Sequence, residues 1–366
     1  MGIYYVAWGI VSILSLIEVS ILHKKNHRAL LYVGIIWLLW TIFVLLTGFK
    51  GNVGTDYKAY QRLYEATFGV GYYLTATSVE PLFWFWMKLF SCLSFSFPIF
   101  WLVTALFNIS LKIYIIRFFS PFVSVSILIY IVGLFFERDF DGIRQGLSIG
   151  LCYWACILYL KGKKAVVYNT VIAGAVLMHY TSILFFCLPL LAKIYIKKEI
   201  IYSFLLVGLL GVVYGFDFLS VVFDVIGTDN FLYGKLYSYL ESDVYSQSVG
   251  VNLGFIFRIV ILFLFMKYEA AINIDRRMYN LLKNGFFLSL CFSLLFNHFE
   301  VLSHRLAYGF REFQIFIIPY LIIAAKGGGN KLLVTSLVIL YSFVLLTRLL
   351  STPHLVESYI YKTVFG

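Results

Sequence analysis

This sequence contains little charge. Only 13% of its 366 residues are Asp, Glu, Lys or Arg, whereas 61% are hydrophobic and 20% are aromatic. Soluble globular domains carry about a quarter charged residues, and no polar stretch here is long enough for a separate soluble domain. The composition therefore excludes a soluble enzyme, a secreted disulfide scaffold and a protein with a single membrane anchor. It predicts one all-α, polytopic integral membrane domain over residues 1–366.

Motifs for several kinds of chemistry are also lacking. There is no glycine-rich phosphate loop and no nucleophile elbow. The net charge is +11, but the basic residues form no stripe on a soluble fold, so we expect no nucleic-acid partner. We also expect no cofactor and no metal ion. The five cysteines lie in apolar segments without metal-type spacing and are interpreted as small core residues: Cys92, Cys152, Cys156, Cys187 and Cys291.

The apolar residues that are present form twelve runs. Because a membrane-spanning helix needs ~20 residues, we predict about 12 transmembrane helices. The first run is interpreted as a retained span, since it has no basic start typical of a cleaved signal. The runs are 3–22, 30–47, 97–116, 121–136, 143–160, 165–178, 181–195, 200–216, 251–267, 281–297, 305–325 and 331–349.

Basic and acidic residues separate if these runs alternate across the membrane. Seventeen of the 29 Lys and Arg residues, including Lys112 and Arg117, then fall on one side, which the positive-inside rule makes cytoplasmic. Fourteen of the 18 acidic residues fall on the other side. Both termini are therefore predicted outside, with external loops at 48–95 and 217–250.

Three segments are too short for ordinary spans. We interpret Pro81–Phe95 as an interfacial or half-membrane helix inside the 48–95 loop. The runs 165–178 and 181–195 are predicted to be broken or re-entrant helices, because His179, Thr181 and Ser182 lie at their junction. Irregular backbone at membrane depth is tolerated only where protein or a wet cavity surrounds it. That junction is thus a candidate floor for a site.

Charged clusters lie at the predicted outer side. Tyr57, Tyr60 and Tyr64 fall on one face of a helix that Thr55 or Asp56 would cap, which suits either sugar binding or a headgroup-level helix. The segment Glu137–Gly146 places five charges in eight residues before an apolar run. It is either a self-neutralising turn or a functional site, because ionisable groups at membrane depth are costly.

Two further clusters contain histidine. His179 is either a hydrogen-bonded core residue or a functional group at a helix break. His298, Glu300 and His304 precede Arg305 and Arg311. These two histidines and the glutamate make an unconvincing zinc site, because the chain supplies no further suitable ligand.

These motifs, in this order, resemble the EpsG family, which is grouped with Wzy-type polymerases of O-antigen, capsule and exopolysaccharide. The resemblance rests on Gly54-Thr55-Asp56-Tyr57-x-x-Tyr60, Glu80-Pro81-Leu-Phe, Ile143-Arg144-Gln145-Gly-Leu-Ser, His179-x-Thr-Ser, and Arg305-Leu-Ala-Tyr308-Gly-Phe with Pro319. It spans about residues 54 to 320.

The resemblance implies a glycosyltransferase with a GT-C-like fold in the bacterial cytoplasmic membrane, acting on its outer face. It would join polyprenyl-diphosphate-linked oligosaccharide repeat units, among membrane lipids and beside a flippase and a chain-length regulator. We expect Arg144 with Arg305 or Arg311 to bind diphosphate, and Asp56 or His179 to act as the base, with Asp56 slightly preferred. The remaining candidates for substrate binding are Tyr57, Tyr60, Glu80, Arg138, Asp139, Asp141, Gln145 and Tyr308.

Two other functions share these features. A transporter or flippase of lipid-linked sugars would also need the spans and the basic site, although the two halves show no duplicated pattern. Another membrane enzyme that modifies glycans is the second alternative.

Overall fold

The computed structural model describes residues 1–21, 28–68, 79–216 and 250–365 of the chain. It divides into two compact units, Met1–Phe186 with Ile318–Gly366 and Cys187–Ile317. The described residues are helical apart from turns and one isolated antiparallel bridge between Lys50 and Thr363. The all-α prediction is therefore confirmed for this part of the chain.

The helices before the unit boundary at Cys187 include one π-helical and one 3-10 segment. They are α1 Gly2–Ile21, α2 Arg28–Gly48, α3 Tyr57–Ala66, α4 Pro81–Cys92, α5 Phe97–Phe119, α6 Val123–Tyr130, the π segment Ile131–Asp141, α7 Ile143–Leu160, α8 Ala165–Met178 and the 3-10 segment Tyr180–Cys187.

The remaining helices follow in the same order along the chain. They are α9 Leu188–Lys193, α10 Lys198–Val213, α11 Leu253–Lys267, α12 Glu269–Ile272, α13 Arg276–Leu295, α14 Glu300–Arg311, α15 Gln314–Ala324, α16 Gly328–Leu350 and α17 Pro353–Val356.

Within the described ranges, five helices are long and apolar enough to cross a membrane: α1, residues 30–48 of α2, α5, α7 and α16. The segments Leu302–Arg311 and Gln314–Ala324 make a sixth candidate, bent by 45° between them. The protein is therefore a multi-pass membrane protein by the length and composition of its helices. A total of about twelve spans and a GT-C-like fold stay predictions.

The expected short helices form where the sequence places them. Pro81 begins α4 at a position where its missing N–H costs nothing, and the helix ends at Cys92. The pair 165–195 breaks at His179, whose backbone is extended (φ −162°, ψ 121°). The 217–250 loop lies outside the described residues except for Gly250.

One predicted span differs in kind. The run 121–136 becomes the short helix α6 and then eleven residues of π helix. The buried carboxylate of Glu18 in α1 accepts hydrogen bonds from Val123 N at 2.9 Å and Ser124 N at 2.7 Å, which are the first amides of α6. These amides have no partner within the helix. Glu18 therefore caps α6.

Lys112 lies beside Asp139, so the prediction that separates these two residues on opposite sides of the membrane is wrong. Its side chain is 2% exposed, and its Nζ lies 2.7 Å from Oδ1 of Asp139, which was expected in an outside turn. The same amine donates to the carbonyl of Gly146 at 2.7 Å, while Asp139 accepts from Asn108 at 2.9 Å and Tyr130 at 2.6 Å. The end of the π segment thus folds into the helices, because a buried lysine needs a carboxylate partner there.

An aromatic cluster joins the elements on which the candidate site is built. The Tyr57–Tyr60–Tyr64 face of α3, the apolar face of α4 and the first turns of α5 and α7 pack together in the first unit. Its buried members are Tyr57, Tyr60, Tyr64, Val79, Phe83, Met87, Phe90, Phe97, Phe100, Trp101, Ile143 and Leu147. This rigid packing fixes where helices α3, α4 and α7 begin.

In the second unit, polar side chains of α13 hold the end of α9. Asn284 Nδ2 donates to Leu191 O at 2.8 Å, and Lys283 Nζ donates to Ile196 O at 2.7 Å. Leu191 O lies in the last turn of this six-residue helix and Ile196 O lies just after it, where carbonyls have no partner within the helix. The polar residues of α13 therefore stabilise a helix too short to be stable alone.

Candidate active site

The centre of the candidate site is the carboxylate of Glu80. Its Oε2 accepts a hydrogen bond from Nη1 of Arg144 at 2.7 Å, and its Oε1 lies 2.8 Å from Nδ1 of His179. The three residues come from the residue before α4, the first turn of α7 and the break after α8. The sequence predicts all three as site residues, and the structure brings them together.

The arrangement is half-buried and not closed. The side chains of Arg144, His179 and Glu80 are 22%, 16% and 6% exposed. Burial raises the pKa of the Glu80 carboxyl, but the His179 hydrogen bond and the Arg144 charge outweigh it and set the pKa below its ordinary value. Glu80 is thus an anion that holds two basic groups at the edge of the protein.

The break at His179 is held by one serine of the neighbouring helix α7 and one of the 3-10 segment after the break. Ser148 Oγ of α7 donates to the carbonyl of Ala175 at 2.9 Å and also contacts the hydroxyl of Ser182. Ala175 O also accepts the amide of His179 at 2.8 Å. Because these contacts satisfy polar groups at the end of α8, the chain can stop its helix there without orphaned backbone groups.

Arg144 is fixed by its position in α7. It follows Gly142, which precedes the helix, and the Tyr60 hydroxyl of α3 hydrogen-bonds to the backbone of Arg144. An amide in the first turn has no intrahelical partner, so Tyr60 satisfies one of these groups. Gln145 is the next residue of the same turn and is half-buried.

Asp56 lies beside this group, but it does not cap α3 as predicted. No side-chain cap is formed, and the Asp56 side chain is exposed. Although the residue is exposed, the protein removes part of the water around its carboxyl, and this desolvation together with the nearby Asp141 raises the pKa of Asp56. The Thr55 hydrogen bond and the Arg144 and Arg138 charges partly offset the increase. These influences place Asp56 within electrostatic reach of both arginines.

The aspartates of the Glu137–Gly146 segment divide into separate roles. Asp139 is fully buried and pairs with Lys112 of α5, so its charge is neutralised from outside the segment and not within a self-neutralising turn. Asp141 is buried and binds the backbone of Thr55 and Asp56. Arg138 is partly exposed and lies 3.9 Å from Glu137.

The tyrosines of α3 pack against other rings. Tyr57 contacts Phe97 and Trp101 with ring centroids 5.1 and 5.2 Å apart, and Tyr60 contacts Phe83 at 5.6 Å. Both residues are 5% exposed. In this structure their faces are occupied by the protein itself, which gives these rings a packing role in place of a sugar platform.

The later candidates belong to the second unit. Arg305 is exposed on α14, and His304 lies 3.8 Å from Glu300 on the same helix. Arg311 donates through Nε to Glu312 at 2.9 Å and lies over the ring of the buried Tyr308. That Arg305 or Arg311 binds the diphosphate together with Arg144 stays a prediction.

Among the residues that the structure describes, no three His, Cys, Asp or Glu side chains form a group suited to a metal ion. Two structural residues were missed by the sequence reasoning. Ser148 carried no signal beyond its place in the Ile143–Ser148 motif. Lys50, directly after α2, is fully buried over the rings of Trp101 and Phe140, with Nζ 4.7 and 4.1 Å from their centroids.

The apolar helices and the half-buried charged site define a multi-pass membrane protein with an ionisable centre, a feature that is functional by default in membranes. The sequence model of the EpsG family matches residues 35–363, nearly the whole chain. The chain therefore belongs to the EpsG family, a Wzy-like, polymerase-type family. Comparison with curated proteins found no match, and comparison with solved structures found none either.

Proposed function

We propose that the protein is a glycosyltransferase that joins polyprenyl-diphosphate-linked oligosaccharide repeat units into a surface polysaccharide. Membership of the EpsG family supports this reaction class. The observation that carries the assignment to a site is the Arg144–Glu80–His179 group, with Nη1–Oε2 and Nδ1–Oε1 distances of 2.7 and 2.8 Å. We place the protein in a bacterial cytoplasmic membrane, with this site towards the outer face.

The reaction has two electrostatic needs. A hydroxyl oxygen of one lipid-linked unit attacks the anomeric carbon of the other glycan, and the bond from that carbon to the polyprenyl diphosphate breaks. The bonding electrons leave with the diphosphate, and the hydroxyl proton must go to a base. The leaving group therefore needs positive charge, and the nucleophile needs a proton acceptor.

Arg144 fits the first need. Its guanidinium has a planar fork of donors that matches phosphate oxygens, and its side chain is 22% exposed. Glu80 fixes that fork from the protein side, which pre-organises it before the substrate arrives. Arg305 and Arg311 remain candidates for additional diphosphate contacts.

His179 fits the second need better than Asp56. When Nδ1 of His179 is protonated and its N–H forms a hydrogen bond with Glu80, Nε2 is unprotonated and can take the proton of the hydroxyl. The Glu80 carboxylate then stabilises the imidazolium that forms, as carboxylates do for catalytic histidines. Asp56, exposed and near Arg144, is assigned to binding the hydroxyls of the acceptor sugar.

Gene deletion with complementation tests this function. We expect the deletion strain to lose long-chain surface glycan and to accumulate single lipid-linked repeat units, as seen by gel analysis and lipid extraction. Wild-type protein should restore the polymer, and Arg144→Ala at equal membrane abundance should not. Normal long-chain glycan in the deletion strain would refute the function, whereas normal glycan with Arg144→Ala would remove only that residue from the site.

A further inference from the structure

The loop that carries Asp56 is held by one buried carboxylate. Asp141, at the end of the π segment, accepts the Thr55 amide at 2.9 Å, the Thr55 hydroxyl at 2.7 Å and the Asp56 amide at 2.9 Å. Asp141 is only 5% exposed. A buried carboxylate of this kind needs such donors, and charge-assisted hydrogen bonds are among the stronger ones in proteins.

The loop is shaped to close over this carboxylate. Gly54 has φ +94°, a conformation that side chains rarely adopt. A Cβ at this position would overlap Oδ1 of Asp141. The glycine therefore allows the backbone to approach the carboxylate and to direct the next two amides towards it.

Other tethers fix the same loop and the same end of the π segment. Lys50 Nζ donates to Val53 O at 2.9 Å and also to the carbonyl of Phe140, next to Asp141. Gly54 N donates to Ser358 O at 2.7 Å, and the buried Tyr359 hydroxyl lies 3.5 Å from Oδ2 of Asp141. The C-terminal residues thus secure the loop from its other side.

We propose that Asp141 is a positioning residue that acts through Asp56. By holding the amides of Thr55 and Asp56, it keeps the exposed Asp56 carboxylate on the side of Arg144 and Arg138, where it can accept hydrogen bonds from an acceptor sugar. Asp141 itself is not a sugar ligand, because its oxygens already bind loop donors and its side chain is buried. This inference rests on the proposed function, and it assigns acceptor binding to the loop 49–56.

The orientation of the Asp56 side chain depends on how its backbone is held. The Asp56 side chain makes no cap hydrogen bond, and among the described residues its carboxylate accepts a hydrogen bond from Thr55 Oγ1 at 3.4 Å. A carboxylate without strong partners of its own depends on its backbone for orientation. The amides of Thr55 and Asp56 both donate to Asp141. Loss of the Asp141 carboxylate should therefore change the orientation of Asp56 and weaken binding of the acceptor sugar.

The test uses the full-length protein and the lipid-linked repeat units that accumulate in the deletion strain. Initial rates of polyprenyl diphosphate release give KM and kcat for Asp56→Asn, Asp141→Asn and the double variant. We expect Asp56→Asn to raise KM roughly tenfold, since a hydrogen bond from a hydroxyl to a charged group is lost. Asp141→Asn should raise KM to a similar extent with kcat within about twofold, and the double variant should be no worse than Asp56→Asn, because coupled residues are not additive.

A second pair of variants keeps the test decisive if Asp141→Asn does not fold. Thr55→Val removes the hydroxyl that binds Asp141, and Thr55→Ser retains it. We expect Thr55→Val to raise KM several-fold and Thr55→Ser to restore wild-type KM. Glu65→Gln, an exposed carboxyl on the same helix as the Asp56 site, serves as the control with unchanged KM and kcat.

The outcomes separate the inference from the proposed function. The positioning role is refuted by any of three results: the KM effects of Asp141→Asn and Asp56→Asn multiply in the double variant, Asp141→Asn lowers kcat without changing KM, or Thr55→Val and Thr55→Ser have the same KM. In each case the polymerase function stands. If wild-type protein releases no polyprenyl diphosphate from these units, the proposed function itself has failed.

Discussion

Two ion pairs in the first unit have the same length and opposite surroundings. Lys112 with Asp139 and Arg144 with Glu80 each join nitrogen to oxygen at 2.7 Å. The first pair is 2% and 0% exposed, whereas the second is 22% and 6% exposed and shares its carboxylate with His179. Distance alone therefore does not mark a site; access and the presence of a second titratable partner do.

The closed pair has a structural purpose. Lys112 also binds the carbonyl of Gly146, and Asp139 also binds Asn108 and Tyr130. A buried pair with every member satisfied holds the π segment, α5 and α7 in one arrangement. Arg144 lies two residues before Gly146 in the first turn of α7, so the closed pair supports the open one.

The largest expected effect comes from breaking the closed pair. Lys112→Met or Asp139→Asn alone should reduce the free energy of unfolding by about 3–5 kcal/mol, because the remaining charge is left buried and unpaired. Thermal unfolding of the purified protein in detergent measures this change. The double variant Lys112→Met with Asp139→Asn should be more stable than either single variant; equal or additive loss would contradict the assignment.

The second prediction removes the proton acceptor of the partly exposed Arg144–Glu80–His179 group. His179→Gln should lower kcat by about 10²–10⁴-fold with little change in KM, the usual contribution of a general base. Its unfolding temperature should stay near that of the wild type, unlike the Lys112 variants. If kcat falls only with Asp56→Asn, and His179→Gln leaves it unchanged, Asp56 is the base instead.

A smaller effect is expected when the shared carboxylate loses its charge. Glu80→Gln keeps the shape but no longer anchors Arg144 and His179 as an anion, and misplacement of about 1 Å costs on the order of 10²-fold in rate. We expect a kcat loss of roughly 10–100-fold by initial-rate measurement. Since Arg144 and His179 are partly exposed, the unfolding temperature of Glu80→Gln should fall less than that of Asp139→Asn. An unchanged rate would show that the two basic groups act without it.

No effect is expected from chelation. Arginine can carry the charge of a leaving diphosphate in place of a metal ion, and we assign that task to Arg144. Initial rates with and without EDTA should therefore agree. A loss of activity with EDTA that added Mg²⁺ or Mn²⁺ restores would refute this metal-independent mechanism.

The sequence predicts the helices better than it predicts their partners. Long apolar runs such as 97–116 and 143–160 have a physical signature of their own, and the break at His179 follows from polar residues between two short runs. Glu80, Arg144 and His179 were chosen as site residues from motifs on three separate segments. Their shared hydrogen bonds depend on the packing of α3, α4, α7 and α8, which no local pattern encodes.

Asp139 and Asp141 show where the pattern stops being informative. They lie two residues apart in one charged segment, and both were assigned to substrate binding. In the structure one binds Lys112, 27 residues earlier, and the other binds the loop before α3, 85 residues earlier. Lys112 lies near the end of the apolar run 97–116 and therefore has the same signature as a cytoplasmic flank. Only tertiary contacts distinguish a buried lysine from a flanking one.

The most direct test of the central claim is a reconstituted reaction. Purified protein in vesicles is supplied with polyprenyl-diphosphate-linked repeat units, and both glycan length and polyprenyl diphosphate release are followed for wild type, Arg144→Ala and the control Glu65→Gln. We predict that wild type and Glu65→Gln elongate the glycan with stoichiometric release, and that Arg144→Ala is slower by about 10²–10³-fold. Movement of the lipid-linked units across the bilayer without any new glycosidic bond, or elongation by Arg144→Ala at the wild-type rate, would contradict the account.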